Sequence, residues 1–100
     1  APEAEFLKPT LRISGVQTRI ERGRVAVQGS LVNESSLFAK NVQVIAIVRD
    51  RYLVPLFAAT TLLPDVSSFE EKEFSVIFPE SEELLRLTNV SSSQIFITNQ

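Results

Sequence analysis

The chain has no cysteine, histidine, methionine or tryptophan, and only three glycines and one tyrosine in 100 residues. Each absence removes some chemistry. Without cysteine there is no disulfide, no zinc–thiolate site and no thiol nucleophile. Without histidine the commonest general base and the commonest metal ligand are both missing. Serines cluster in several places, but with no histidine and no evident lysine base beside them they are not nucleophiles. No apolar run reaches the roughly 18 residues that cross a bilayer. The longest, Val42–Val48 and Leu53–Ala59, are interrupted by Gln43 and Pro55 and are strand-sized. The missing methionine, even at residue 1, marks the chain as processed or excised from something longer. Residues 1–9 then read as an N-terminal tether following a signal sequence, an anchor or a neighbouring domain.

What is present points to one small folded domain over residues 10–99. Apolar residues make up 44% and charged residues 22%, ordinary globular values that argue against disorder. A chain of this length buries roughly 65% of its unfolded surface, enough for one core. Net charge is −2 but unevenly spread. Residues 1–51 carry eight basic and five acidic side chains, and residues 52–100 two basic and seven acidic. The two halves of a sandwich interleave, so this asymmetry serves solubility rather than defining two patches.

Period-2 alternation dominates the pattern. Leu11 and Ile13, then Val16, Thr18 and Ile20, alternate with polar residues, and the phase slips at Gly15, which predicts a bulge. Glu21-Arg22-Gly23-Arg24 makes a polar turn. Val25, Val27, Gly29 and Leu31 follow on one face of a second strand, completing a hairpin. Asn33-Glu34-Ser35-Ser36 is a turn cluster. Asn41–Asp50 is the strongest strand, with Val42, Val44, Ala46 and Val48 on one face. Ile45 and Ile47 on the other face imply a central strand covered on both sides. Asp50-Arg51 turns, Tyr52–Leu63 runs extended, and Pro55 confines that run to an edge. Pro64 to Ser68 reads as a turn, Phe74, Val76 and Phe78 as a strand stopped by Pro79, and Ser81 as the cap of a short helix near residues 81–88. Glu82 and Glu83 fall in its first turn, where the helix dipole favours acids. Gln94–Thr98 closes the fold. The expectation is an all-β, immunoglobulin-like antiparallel β-sandwich of about seven strands with that one helix.

Gly29-Ser30-Leu31-Val32-Asn33-Glu34-Ser35, followed by Ala39-Lys40-Asn41-Val42-Gln43-Val44, resembles the small immunoglobulin-like domains typified by the FxLYD module, and CARDB-like adhesion domains more distantly. The resemblance continues through the aspartate turn at Asp50, the edge run Val54–Thr61, the turn Leu63-Pro64-Asp65 and the stretch from Phe69 to Phe78-Pro79, covering residues 25–80. It implies an extracytoplasmic accessory domain (periplasmic, cell-surface or membrane-tethered) and brings no catalytic residues.

Candidate sites are few. Arg19, Arg22 and Arg24 flank the first turn and offer an anion contact, or a nucleic-acid contact if the scaffold were an OB-like barrel. Single-strand binding needs stacking aromatics beside the basic groove, and none lies between Phe6 and Phe38. Asp65, Glu70, Glu71 and Glu73 are spaced as a solvent face rather than as a calcium loop. A glycosidase-type carboxylate pair has no distinguishing environment. A carbohydrate-binding role alongside an enzyme would want the aromatic platform that an absent Trp denies. Asn33-Glu34-Ser35 and Asn89-Val90-Ser91 match the glycosylation pattern. The phenylalanines Phe38, Phe57, Phe69, Phe74, Phe78 and Phe96 are expected mainly in the core, Phe57 being the exception on a suspected edge.

The functional expectation is a non-catalytic interaction or spacer module with no cofactor, no metal and no small-molecule substrate. Its partner is a protein or a second copy, met through an edge strand carrying Tyr52, Val54, Leu56 and Phe57 or through loops at one end. Any membrane contact is expected through an anchor outside these residues.

Overall fold

The computed structural model describes residues 9–99, so the expected tether, apart from Pro9, lies outside the described residues. Strand β1 (Leu11–Glu21) turns into β2 (Arg24–Asn33) through two residues, Arg22 and Gly23, at φ 50° and 77°. Two successive positive φ values are what a type I′ turn needs, and its twist matches that of the strands it joins. The register of β1 on β2 slips between Ser14 and Gln17, and Gly15 takes φ 64° there, so the phase break in the sequence is a bulge.

The remaining elements are β3 (Ala39–Arg49), β4 (Pro55–Val66), β5 (Glu71–Ile77), helix α1 (Glu82–Leu87) and β6 (Ser93–Asn99). They form two antiparallel three-stranded sheets, ordered β1-β2-β5 and β4-β3-β6. In immunoglobulin lettering these are A-B-E facing C′-C-F. A seventh strand, G, which would pair with β6, is not formed among the described residues. The expected sandwich therefore stands with six strands instead of about seven. The OB-like alternative is overturned, because two separate three-stranded sheets are not a five-stranded barrel.

The core lies where the alternation placed it. Val25, Val27 and Leu31 from β2 meet Val42, Val44, Ala46 and Val48 from β3, joined by Phe74, Val76 and Phe78, all buried. Gly29 is needed by this packing. It pairs with Phe74 in register, and a Cβ at residue 29 would sit 2.8 Å from the Phe74 ring. Asn33 closes the corner below. Its side chain has no exposure, its Nδ2 donates to the carbonyls of Leu37 (2.7 Å) and Val66 (3.3 Å), and its Oδ1 accepts from the Ser35 N–H (3.1 Å) and hydroxyl (2.7 Å). With its amide nitrogen enclosed in this way, the first glycosylation triplet is closed in the folded domain.

Several expectations are corrected. Pro64 and Asp65 do not turn. β4 runs through them to Val66, with Asp65 opposite Lys40, while Asn41 takes φ 53° beside the proline that cannot donate. Tyr52 and Val54 belong to the β3–β4 loop, since the strand begins only at Pro55. Ile45 and Ile47 are half-buried on a sheet face that no second layer covers among the described residues. Of the six phenylalanines only Phe74 and Phe78 are core; Phe38, Phe57, Phe69 and Phe96 are each more than 40% exposed.

Strand directions fix the ends. β1, β3 and β6 connect so that Leu11, Asn33, Ala39, Val66 and Asn99 share one end. The Arg22 turn, the β3–β4 loop and α1 share the other. The long dimension is 47 Å, so the two ends are well separated.

Candidate functional site

The distal end, away from both termini of the described chain, is built on Asp50. Its Oδ1 accepts from the backbone N–H groups of Tyr52 (2.8 Å) and Val54 (3.0 Å). Its own N–H donates to the Val54 carbonyl, and its carbonyl accepts from the Leu53 N–H, both at 3.0 Å. Four hydrogen bonds thus fix a five-residue loop. Leu53 is forced to φ 65°, a left-handed conformation that disfavours side chains with a Cβ. The result is a rigid loop that holds Tyr52, Leu53 and Val54 out of the core.

The helix continues this surface. Ser81 caps α1 through its Oγ, which accepts from the Leu84 N–H (3.3 Å). Leu84 is buried and Leu85 half-buried, so Leu87 turns outward. The Asn89 N–H donates to the Arg49 carbonyl (2.7 Å), tying the segment after the helix to the end of β3. Tyr52, Leu53, Val54, Phe57, Leu87 and Val90 are 41–71% exposed, and all lie on this end. Two clefts share Leu87 as a wall. One of about 570 Å³ runs between Tyr52 and Val90, and one of about 270 Å³ lies between Leu56, Phe57 and Leu84. Phe57 anchors the second cleft to the core, its ring meeting Phe78 edge-on at 6.1 Å and 71°. Over the first cleft stand Arg51, whose guanidinium lies 4.9 Å from the centre of the Tyr52 ring, and Arg86. Arg51 and Arg86 stand around the first cleft against one carboxylate, Asp50, and Glu83 lines the second.

The four residues singled out from sequence, Tyr52, Val54, Leu56 and Phe57, are brought together here. Leu56 differs from the rest in being half-buried against the core. Leu53, Leu87 and Val90 escaped the sequence reading. Leu87 looked like a packing residue of the helix, and only the helix's length and position turn it outward. Strand β4 is an edge strand, as expected; it contains Pro55 and Pro64, and its pairing with β3 shifts register between Val48 and Arg49. The exposed apolar side chains at the sandwich end form a surface apart from the β4 edge.

Arg19, Arg22 and Arg24 lie at the same end, and Arg19 and Arg24 face acidic side chains. Arg19 approaches Glu21 at 3.9 Å and donates to Gln17 Oε1 at 3.0 Å, and Arg24 approaches Glu80 at 3.9 Å. Exposed pairs of this kind hold little energy. At the opposite end, Glu70 Oε1 accepts from the Ser67 N–H (2.8 Å) and Lys72 reaches the Asp65 carbonyl, so these residues brace a turn. No group of three acidic side chains positioned to hold a cation occurs among the described residues. A polar groove of about 420 Å³ over the β1 bulge contains a single carboxylate, Glu73, where a glycosidase needs two.

Removing the loop strain separates stability from surface. Leu53→Gly is expected to raise unfolding stability by about 1 kcal/mol, because glycine adopts positive φ without a Cβ penalty. A urea melt measures this, and the same change deletes one apolar side chain from the platform.

No protein-family model and no curated protein matches the chain. Among solved structures, it is similar to a DUF1425 family member from Shewanella sp. pv-4, with a TM-score of 0.66 and 12% identity over 90% of this chain and 78% of that one. The likeness is one of fold, a small β-sandwich.

Proposed function

We propose that this domain is a non-catalytic docking module, part of a larger extracytoplasmic or membrane-anchored protein, and that its distal end grips an apolar anchor on a protein partner. The observation that carries the proposal is the preformed apolar platform Tyr52–Leu53–Val54, held by Asp50 and continued by Phe57, Leu87 and Val90. Apolar side chains held out of the core on a strained, hydrogen-bonded loop are poorly explained by folding alone. Around the first cleft Arg51 and Arg86 outnumber Asp50, which favours acidic residues flanking an anchor seated there. The extracytoplasmic setting and the kinship with FxLYD-like domains rest on the sequence resemblance. The remote position of the platform from both described termini suits a module carried on a tether.

The test begins with peptides selected from a random display library on the wild-type domain. Enriched peptides should carry an apolar pair beside acidic residues. Tyr52→Ser combined with Leu87→Ser should weaken their binding at least tenfold, about 1.4 kcal/mol or more, while the melting transition stays in place. Replacing Arg19, Arg22 and Arg24 with alanine together should leave binding unchanged. Failure to enrich any peptide, or binding that survives the double change, refutes the proposal.

A further inference from the structure

Arg12, Arg19 and Arg24 each approach a carboxylate, whereas Arg51 and Arg86 have no ion-pair partner among the described residues. Both stand around the first cleft, where Asp50 is the one carboxylate in the lining. Asp50 Oδ1 already accepts from the Tyr52 and Val54 N–H groups. The Arg51 guanidinium lies 4.9 Å from the centre of the Tyr52 ring, a contact that keeps its charge at the cleft. Two cations against one carboxylate leave a single positive charge in excess.

A second observation at this cleft points to a ligand. Two buried side-chain polar atoms lack a hydrogen-bond partner among the described residues, Arg49 Nε and Thr88 Oγ1. Arg49 still donates through Nη2 to Gln94 Oε1. The Thr88 hydroxyl makes no hydrogen bond. Thr88 lines the first cleft, and its backbone is fixed there because its N–H donates to the Leu84 carbonyl at 3.0 Å, closing α1. A buried hydroxyl without a partner weakens a fold, so its place beside two guanidinium groups without acidic partners asks for an acceptor. All three groups can donate. A carboxylate fits them best. Its two oxygens match the flat fork of a guanidinium, and its one charge balances the one in excess.

The second cleft has the opposite character. Leu56, Phe57, Leu84 and Leu87 line it, and Glu83 is the one charged residue in its wall. It has room for an apolar side chain, while Glu83 repels an acid. Leu87 is the wall between the two clefts. In an extended peptide, side chains two residues apart point the same way and stand about 6–7 Å from each other, a span that straddles one side chain. We propose that the clefts divide one short motif of the protein partner between them. A large apolar side chain enters the second cleft. A carboxylate two residues away enters the first, where Arg51 and Arg86 pair with it and the Thr88 hydroxyl donates to one of its oxygens. The inference rests on the docking reading above and deepens it, fixing which cleft takes which group and how far apart the two groups stand.

The test titrates the whole chain with short blocked peptides centred on Phe-Ala-Glu or on Glu-Ala-Phe, each beside a control with alanine in place of the glutamate. One of the two orders should bind at least fivefold more tightly than its control, and added salt should shrink the difference. A second alanine in the spacer should remove it, since the acid then points away from the first cleft. Thr88→Val should weaken the glutamate peptide at least fivefold and its control less than twofold. The melting temperature of Thr88→Val should hold or rise, because valine keeps the branched shape and removes an unsatisfied hydroxyl; a hydroxyl with a structural bond would make it fall. Arg51→Gln combined with Arg86→Gln should abolish the preference for glutamate. Equal binding of glutamate and control peptides, indifference to spacing, or a Thr88→Val variant that melts earlier or binds as before would each overturn the proposal. Library-selected peptides that bind while both designed orders fail would overturn the motif and leave the docking reading standing; if selected and designed peptides all fail, both fall together.

Discussion

Asn33→Leu is expected to destabilise the domain by about 4 kcal/mol, a large part of the roughly 5–15 kcal/mol that holds a protein of this size together. Leucine has the same branched skeleton but bulkier ends that cannot hydrogen-bond, so the loss is mainly of hydrogen bonds with some overpacking added. The Leu37 and Val66 carbonyls lose their donor, and the Ser35 N–H and hydroxyl lose their acceptor. Asn33 has no exposure, so water does not simply take its place. Each buried polar group left without a partner costs about 1–3 kcal/mol, and partial relaxation of the Ser35–Leu37 turn keeps the sum below the maximum. Asn33→Asp should be no milder at neutral pH. It keeps the shape but turns a carboxylate oxygen toward two carbonyl oxygens that previously received N–H bonds. Urea denaturation reads both, as a lower midpoint at an unchanged slope. A cost below about 1 kcal/mol would mean the corner is held by something else.

Phe78→Ala should cost about 3–5 kcal/mol. Phe78 has no exposure and is the largest of the fully buried side chains. Its backbone N–H donates to Val25 O at 2.9 Å, and its ring meets Phe57 from below the distal clefts. Truncation opens a cavity beneath the platform and removes the aromatic contact that positions Phe57. Peptide binding should therefore weaken even where the variant remains folded. Phe78→Leu, which fills most of the space, should cost clearly less. The difference between the two measures how far the platform's shape depends on the core beneath it.

Most of the fold could be read because it follows local rules. Alternation along Val25–Leu31 and Val42–Val48 depends only on which face meets the other sheet, and both faces were assigned as they stand. The bulge at Gly15 and the Ser81 cap have signatures of one or two residues. What escaped depends on distant partners. Pro64 and Asp65 have the chemistry of a turn, yet they lie in a strand because Lys40 and Ala39 lie alongside to pair. Alternation assigns Phe57 to the inner face but cannot show that the opposite sheet ends there, leaving the ring half-exposed over Phe78. Ile45 and Ile47 imply a second covering layer that the described residues do not form. Three of the platform residues, Tyr52, Val54 and Phe57, were legible in the apolar stretch after Asp50. Leu87 and Val90 were not, because their part in the platform comes from a helix folded across from a loop more than 30 residues earlier in the chain.

The most direct test of the docking account is amide chemical-shift mapping of the labelled domain titrated with a peptide selected on it. The account predicts shifts concentrated in residues 50–57 and 82–90, with β5 and the Asn33 corner unmoved. Shifts centred on Arg19–Arg24, on the groove over the β1 bulge, or spread evenly over the sandwich would contradict it.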